Sequence, residues 1–185
     1  KRVLGAVSVS LIAVFGTTSA QATDGTWKDD ASGDWTTKAN WVGESDYPKS
    51  ISDKAIFPAT MMGGNVATVP SGVSIQILGI SIAKDMKLVL DNGTLKIGAT
   101  GSGKGDTTYF GDKSEVTVEF KGANPLLNFN RNSRTLDFGT AYDTTLKFCL
   151  PSTPWVNAKA PIQASNTDGV VRYYTNTHFV VDVAG

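Results

Sequence analysis

Short runs of alternating apolar and polar residues, broken by turn residues, fill the chain from about Val66 to Leu150. Ile75 and Ile77 share one face, and after a slip of phase at Gly79 the inward set becomes Leu78, Ile80 and Ile82. Leu88 with Leu90, Leu95 with Ile97, and Val116 with Val118 and Phe120 follow. Leu127 with Phe129, Leu136 with Phe138, and Leu146 with Phe148 complete the series. A period of two marks a half-buried strand, because successive side chains point to opposite faces of a sheet. The residues between the runs are Gly, Asn, Asp, Ser and Pro, which punctuate strands. An all-β fold is therefore expected.

Topology is left open between two architectures. The sets at Leu95, Val116 and Leu136 recur about every twenty residues, as successive coils of a parallel β-solenoid would. Strands every ~8–12 residues suit an antiparallel β-sandwich equally well. Asp91-Asn92-Gly93-Thr94 is a two-residue hairpin signal, and pairing across it sets Leu90 opposite Leu95 and Leu88 opposite Ile97. Asn and Gly also serve solenoid corners.

The first residues bear on compartment. Lys1 and Arg2 precede an uncharged apolar run from Val3 to Phe15, and Ala20-Gln21-Ala22 supplies small residues for cleavage. That order predicts a secretory signal peptide over residues 1–22. A membrane span would need an apolar run of ~20 residues, longer than this one. Cleavage leaves 163 residues, enough for one domain, with a net charge of −2. Near-neutral charge of scattered sign lacks the footprint of a nucleic-acid binder.

Candidate chemistry is sparse. Gly98-Ala99-Thr100-Gly101-Ser102-Gly103-Lys104 has the spacing of a phosphate-binding loop, but Gly105 replaces the magnesium-binding hydroxyl and no helix follows. A loop between strands, and no nucleotide, is the expectation. Cys149 is the sole cysteine, so no internal disulfide can form. It shares a strand face with Lys147, opposite Leu146, Phe148 and Leu150, and the sole histidine, His178, is distant in sequence. Neither is expected to be catalytic. His178 and Asp182 face away from Phe179, Val181 and Val183 as ordinary surface. Asp112, Glu115 and Glu119 could supply the paired carboxylates of a glycosidase, but Lys113 and Lys121 are interspersed, as on a charged surface. Asp24, Asp29, Asp30, Asp34 and Asp46 allow a bound calcium ion, although their spacing matches neither the EF-hand loop nor the nonapeptide calcium repeat. No other cofactor or metal is expected.

Residues 23–58 are different in kind. They hold Trp27, Trp35 and Trp41, three of the four tryptophans, among Asp, Ser and Gly. Exposed and coplanar, these rings would be a carbohydrate platform. Buried, they would plug the open end of a β core, the favoured reading, since large aromatics carry the most apolar area per residue.

The ordered string Trp27, Gly33-Asp34-Trp35, Ala39-Asn40-Trp41, Gly43, Pro48 and Asp53-Lys54-Ala55-Ile56-Phe57 resembles the opening of exported bacterial adhesin-like proteins with autotransporter-associated β-strand repeats. Gly72-Val73-Ser74-Ile75 and Gly93-Thr94-Leu95-Lys96-Ile97-Gly98 look like their repeated rungs. The resemblance spans about residues 23–100 and implies a right-handed parallel β-helix displayed at the cell surface, outside the outer membrane, without enzymatic activity. It implies a tryptophan-rich cap over 23–58 and a β-solenoid over 59–185, the N-terminal part of a longer passenger truncated at its C-terminal end. Host or extracellular glycans or matrix would be the partners, with membrane attachment only through parts beyond this chain. The alternative is a secreted carbohydrate-binding β-sandwich that uses the tryptophans.

Overall fold

A computed structural model describes residues 24–98, 108–110, 115–130, 135–138, 144–150, 161–165, 170–173 and 177–183. The alternating runs are strands, and they lie in three parallel sheets. The first sheet is β1 (Gly25–Thr26), β3 (Lys54–Phe57), β6 (Gly79–Ile82), β9 (Thr108–Phe110), β12 (Thr135–Phe138) and β15 (Val170–Tyr173), in that spatial order. The second is β2 (Gly33–Asp34), β4 (Asn65–Val69), β7 (Met86–Asp91), β10 (Glu115–Lys121), β13 (Thr144–Leu150) and β16 (Thr177–Val183). The third is β5 (Ser74–Ile77), β8 (Thr94–Ile97), β11 (Leu126–Asn130) and β14 (Ile162–Ser165). From β3 onward the chain visits first, second and third sheet in turn, so strands adjacent in sequence lie in different sheets. A single 3-10 turn, Lys38–Asn40, is the helical element among the described residues.

Register sets like on like. In the second sheet Ala67, Leu88, Val118 and Phe148 lie side by side, all buried. In the third sheet Ile75, Leu95 and Leu127 form one buried row, and Ile77, Ile97 and Phe129 the next. Ala55 beside Ile80 and Phe57 beside Ile82 do the same in the first. These rows merge into one apolar core. Each fully buried aliphatic side chain contributes about 1.5–3 kcal/mol relative to exposure, so the rows carry the fold.

Two expectations from sequence need correcting. The ladders between the strands are all parallel, which removes the antiparallel sandwich; the antiparallel contact among the described residues is an isolated bridge between Trp27 and Trp41. The Asn92-Gly93 hairpin does not form either. Leu90 pairs with Val69 and Phe120, and Leu95 pairs with Ile75 and Leu127. Asn92 does adopt a left-handed φ of 49°, but the turn carries the chain from second sheet to third instead of folding it back. Its amide donates to Lys121 O at 2.9 Å and its Oδ1 accepts from Asn124 N at 3.0 Å, so the corner bonds to the corner of the next layer. Gly93 is required there, because a Cβ would overlap the backbone carbonyl of Val69.

The twenty-residue recurrence also has another origin. Leu95, Val116 and Leu136 belong to three different sheets. True neighbours are separated by 20 residues from Ile75 to Leu95 and by 32 from Leu95 to Leu127. The slip of phase is a corner: Leu78 is half-exposed between β5 and β6, while Ile80 and Ile82 are buried.

The tryptophan cluster as candidate functional site

The segment before β3 has little regular structure, yet its tryptophans are completely buried. Trp27, Trp35 and Trp41 are each 0 % exposed. Trp27 meets Trp41 edge to face at 4.9 Å between centroids, and Trp35 meets Trp41 at 5.1 Å. Phe57, the last residue of β3, lies 5.6–6.0 Å from all three rings. Such edge-on pairs add about 0.5–1.5 kcal/mol each beyond area burial.

A buried indole N–H needs an acceptor, and each has one. Trp27 Nε1 donates to Ala31 O at 2.8 Å, Trp35 Nε1 to Pro48 O at 2.9 Å, and Trp41 Nε1 to Trp35 O at 2.7 Å. The cluster is tied into the sheets by backbone bonds. Trp27 N donates to Ile56 O of β3 at 2.8 Å, and Trp35 N to Thr68 O of β4 at 2.7 Å. Asp53 helps to shape the approach to β3, its Oδ2 accepting from Lys49 N and Ser50 N at 2.9 Å. Stacking on a sugar needs an open ring face, and none of these three rings presents one. The arrangement can seal and anchor. Trp155, the fourth tryptophan, lies outside the described residues.

The acidic residues of this segment are spread over separate tasks. Asp24 Oδ1 accepts from Lys54 N at 3.1 Å, and Asp29 Oδ1 from the Thr60 hydroxyl at 2.9 Å. Asp34 contributes its backbone carbonyl, which accepts from Asn40 Nδ2 at 3.0 Å. Lys49 pairs with Asp46 at 2.6 Å and, with the Tyr47 amide, holds its carboxyl below the usual range. Lys28 pairs with Glu44. Among the described residues no three metal-ligating side chains converge.

Elsewhere the candidates lie on the outer face of the second sheet. Glu119 sits between Lys87 at 3.1 Å and Lys121 at 3.3 Å. Burial pushes its carboxyl up, but the two ammonium groups outweigh this and hold it below the usual range. Glu115 donates its amide to Asp85 Oδ1 at 2.6 Å, and Asp112 is outside the described residues. Cys149 lies beside Glu119 and Asp182 in register, half-buried, and burial pushes its thiol up. A raised thiol forms less thiolate and is a poorer nucleophile at neutral pH. His178 is exposed and in register with Thr145, not Cys149. Of the phosphate-loop-like string, Gly98 alone is described, its amide donating to Ile77 O at 2.8 Å.

Sequence reasoning found the three rings and missed what surrounds them. Phe57 was legible only as the end of a motif, and the acceptor on Pro48 is thirteen residues from its indole. Val89 was missed as well: it is buried on the outer face, between Thr68 and Glu119 in register. Searches against protein-family models, curated proteins and solved structures found no match to this chain.

Proposed function

We propose that this chain is a non-enzymatic, exported structural protein of the adhesin-like kind, the N-terminal part of a cell-surface passenger. In this reading it coils as a right-handed parallel β-helix whose first turn is sealed by the tryptophans. The complete burial of Trp27, Trp35 and Trp41 against Phe57 is the observation that carries the proposal. A solenoid has two open ends, and an apolar interior must be shielded at each terminus. Three hydrogen-bonded indoles over the shortest strands meet that need at one end. The cyclic order of the three sheets supports the coil, since each round adds one strand to each sheet. Right-handedness follows from the strong preference of parallel crossovers for that hand. Adhesion would then use the outer faces of the sheets toward extracellular glycans or matrix, leaving the rings in place.

The test is tryptophan fluorescence of the full chain carrying Trp155→Phe, so that the three capping rings alone report. Blue-shifted emission that stays fixed through a panel of soluble glycans is expected. Red-shifted emission that moves with one sugar class would instead make the protein a carbohydrate-binding module. Small-angle scattering tests the coil separately. Six strands in a sheet at ~4.8 Å spacing predict a stack about 24 Å long along one axis.

A further inference from the structure

Asn92-Gly93 is the sole Asn-Gly dipeptide of the sequence, and it forms the corner between β7 and β8. An asparagine before glycine can modify itself, because no Cβ on the glycine keeps its nitrogen away from the asparagine side-chain amide. That nitrogen must reach Asn92 Cγ, so the side chain has to swing and the main chain has to turn at the corner. The folded chain opposes both movements. Asn92 N donates to Lys121 O at 2.9 Å, and Asn92 Oδ1 accepts from Asn124 N at 3.0 Å. Gly93 O accepts from Leu126 N at 3.0 Å, and Thr94 N donates to Val73 O at 2.9 Å. Packing closes the remaining space: the Asn92 side-chain amide lies over the Cα of Gly122, and Gly93 lies against the carbonyl of Val69. The dipeptide is held from both sides, by residues 69–73 of the layer before and residues 121–126 of the layer after.

We propose that Asn92 is a self-modification site gated by this corner. Closed, the corner keeps Asn92 as the amide; open, it lets Asn92 convert irreversibly to aspartate or isoaspartate. In the open corner Gly93 N gives its proton to solvent base and bonds to Asn92 Cγ. The Cγ–Nδ2 bond breaks, and Nδ2 takes a proton from solvent and leaves as ammonia. Water then opens the cyclic imide at either carbonyl. One product is aspartate, which retains an acceptor for Asn124 N. The other is isoaspartate, whose main chain runs through the former side chain and is one carbon longer. The extra carbon falls between two strands that are each held in register by both neighbours, so the isoaspartate corner does not close again. Conversion leaves a covalent record of corner opening. The site rests on the corner alone and is independent of the function proposed above.

Peptide mass mapping of the full chain, held in mildly alkaline buffer with and without urea, is the test. The peptide bearing residue 92 gains the mass difference between an acid and an amide as it converts. Local opening has a free energy of its own, and here it must break four hydrogen bonds. The folded chain should therefore convert at least about tenfold more slowly than the chain in urea. Gly122→Ala drives a Cβ into the Asn92 amide and should raise the folded-state rate about tenfold. Val118→Ala weakens the buried core without touching the corner, and should leave that rate unchanged.

Equal rates with and without urea, or no conversion in urea, would overturn the proposal. So would a Gly122→Ala rate no faster than that of the unaltered chain. A rate raised as much by Val118→Ala as by Gly122→Ala would make unfolding of the whole chain the gate, and the corner would lose its role. The urea comparison and Val118→Ala change nothing at the corner, so they decide the matter if Gly122→Ala fails to fold.

Discussion

The two ends of the second sheet answer the same problem in opposite ways. At one end the edge strand β2 is two residues long, and three tryptophans with no exposed surface lie against it. At the other, β16 is seven residues long, and Phe179, Val181 and Val183 are 48 %, 63 % and 60 % exposed. Between them the alternation of apolar and polar residues is the same. The difference teaches that the period-two pattern specifies a face but not its cover. Cover comes from residues outside the pattern, and among the described residues they are concentrated before β3.

The largest test of that comparison is removal of the cover. Trp35→Ala or Trp41→Ala should cost about 3–5 kcal/mol, the usual range for deleting a buried aromatic. Each also orphans a buried group: Trp35→Ala strands the Pro48 carbonyl, and Trp41→Ala strands that of Trp35. Urea unfolding followed by far-ultraviolet circular dichroism would measure the loss. A cost below about 1 kcal/mol would mean that the capped end is no better closed than the open one.

A substitution midway between the ends asks whether they belong to one cooperative unit. Gly93→Ala places a Cβ against the carbonyl of Val69, a backbone atom that cannot rotate away. Overpacking of this kind costs about 1–3 kcal/mol. Gly122 is milder: its φ of 79° strains any other residue, and the Cβ meets the flexible side chain of Asn92. Gly122→Ala should cost about 1–2 kcal/mol, within the range for non-glycine residues held left-handed. If both variants shift the same unfolding midpoint as Trp35→Ala, cap and body melt together. Separate transitions would divide the capped end from the rest.

These positions also mark what was legible in the sequence. The strands were, because alternation is a local consequence of pleat geometry. The phase slip before Ile80 was too, and it proves to be a corner at Leu78. Partners were not legible. Asn92-Gly93 satisfies the same backbone need in a hairpin and in a corner, and the choice is made by Val69, Phe120 and Leu127, more than twenty residues away in sequence. The even spacing of Leu95, Val116 and Leu136 misled for a related reason: the chain passes from sheet to sheet, so even spacing along it is not stacking. At the cluster, tryptophan content predicted anchors, whereas Pro48 as an acceptor depends on how an irregular segment lies across β3 and β4.

Charge separates the ends less than packing does. Glu119 is held below the usual carboxylate range in the folded chain by Lys87 and Lys121, against the opposing effect of its burial. A depressed folded pKa gives stability that is present above the unfolded value, near 4.5, and lost as pH falls through the folded value. Glu119→Gln should therefore flatten the acid limb of stability against pH. The change should stay below about 1 kcal/mol, because the pair is partly solvated. Denaturant midpoints between pH 6 and pH 3, compared for the two chains, would read it.

The smallest effect on the folded monomer is the most discriminating. Val118 and Val181 occupy the same column of the second sheet, one step either side of Phe148, but Val118 is fully buried and Val181 is largely exposed. Val118→Ala should cost about 2 kcal/mol, as loss of buried methyl groups does. Val181→Ala, at a position 63 % exposed, should stay within about 0.5 kcal/mol. Equal costs would mean that something within the chain already covers β16, and the contrast between the two ends would disappear.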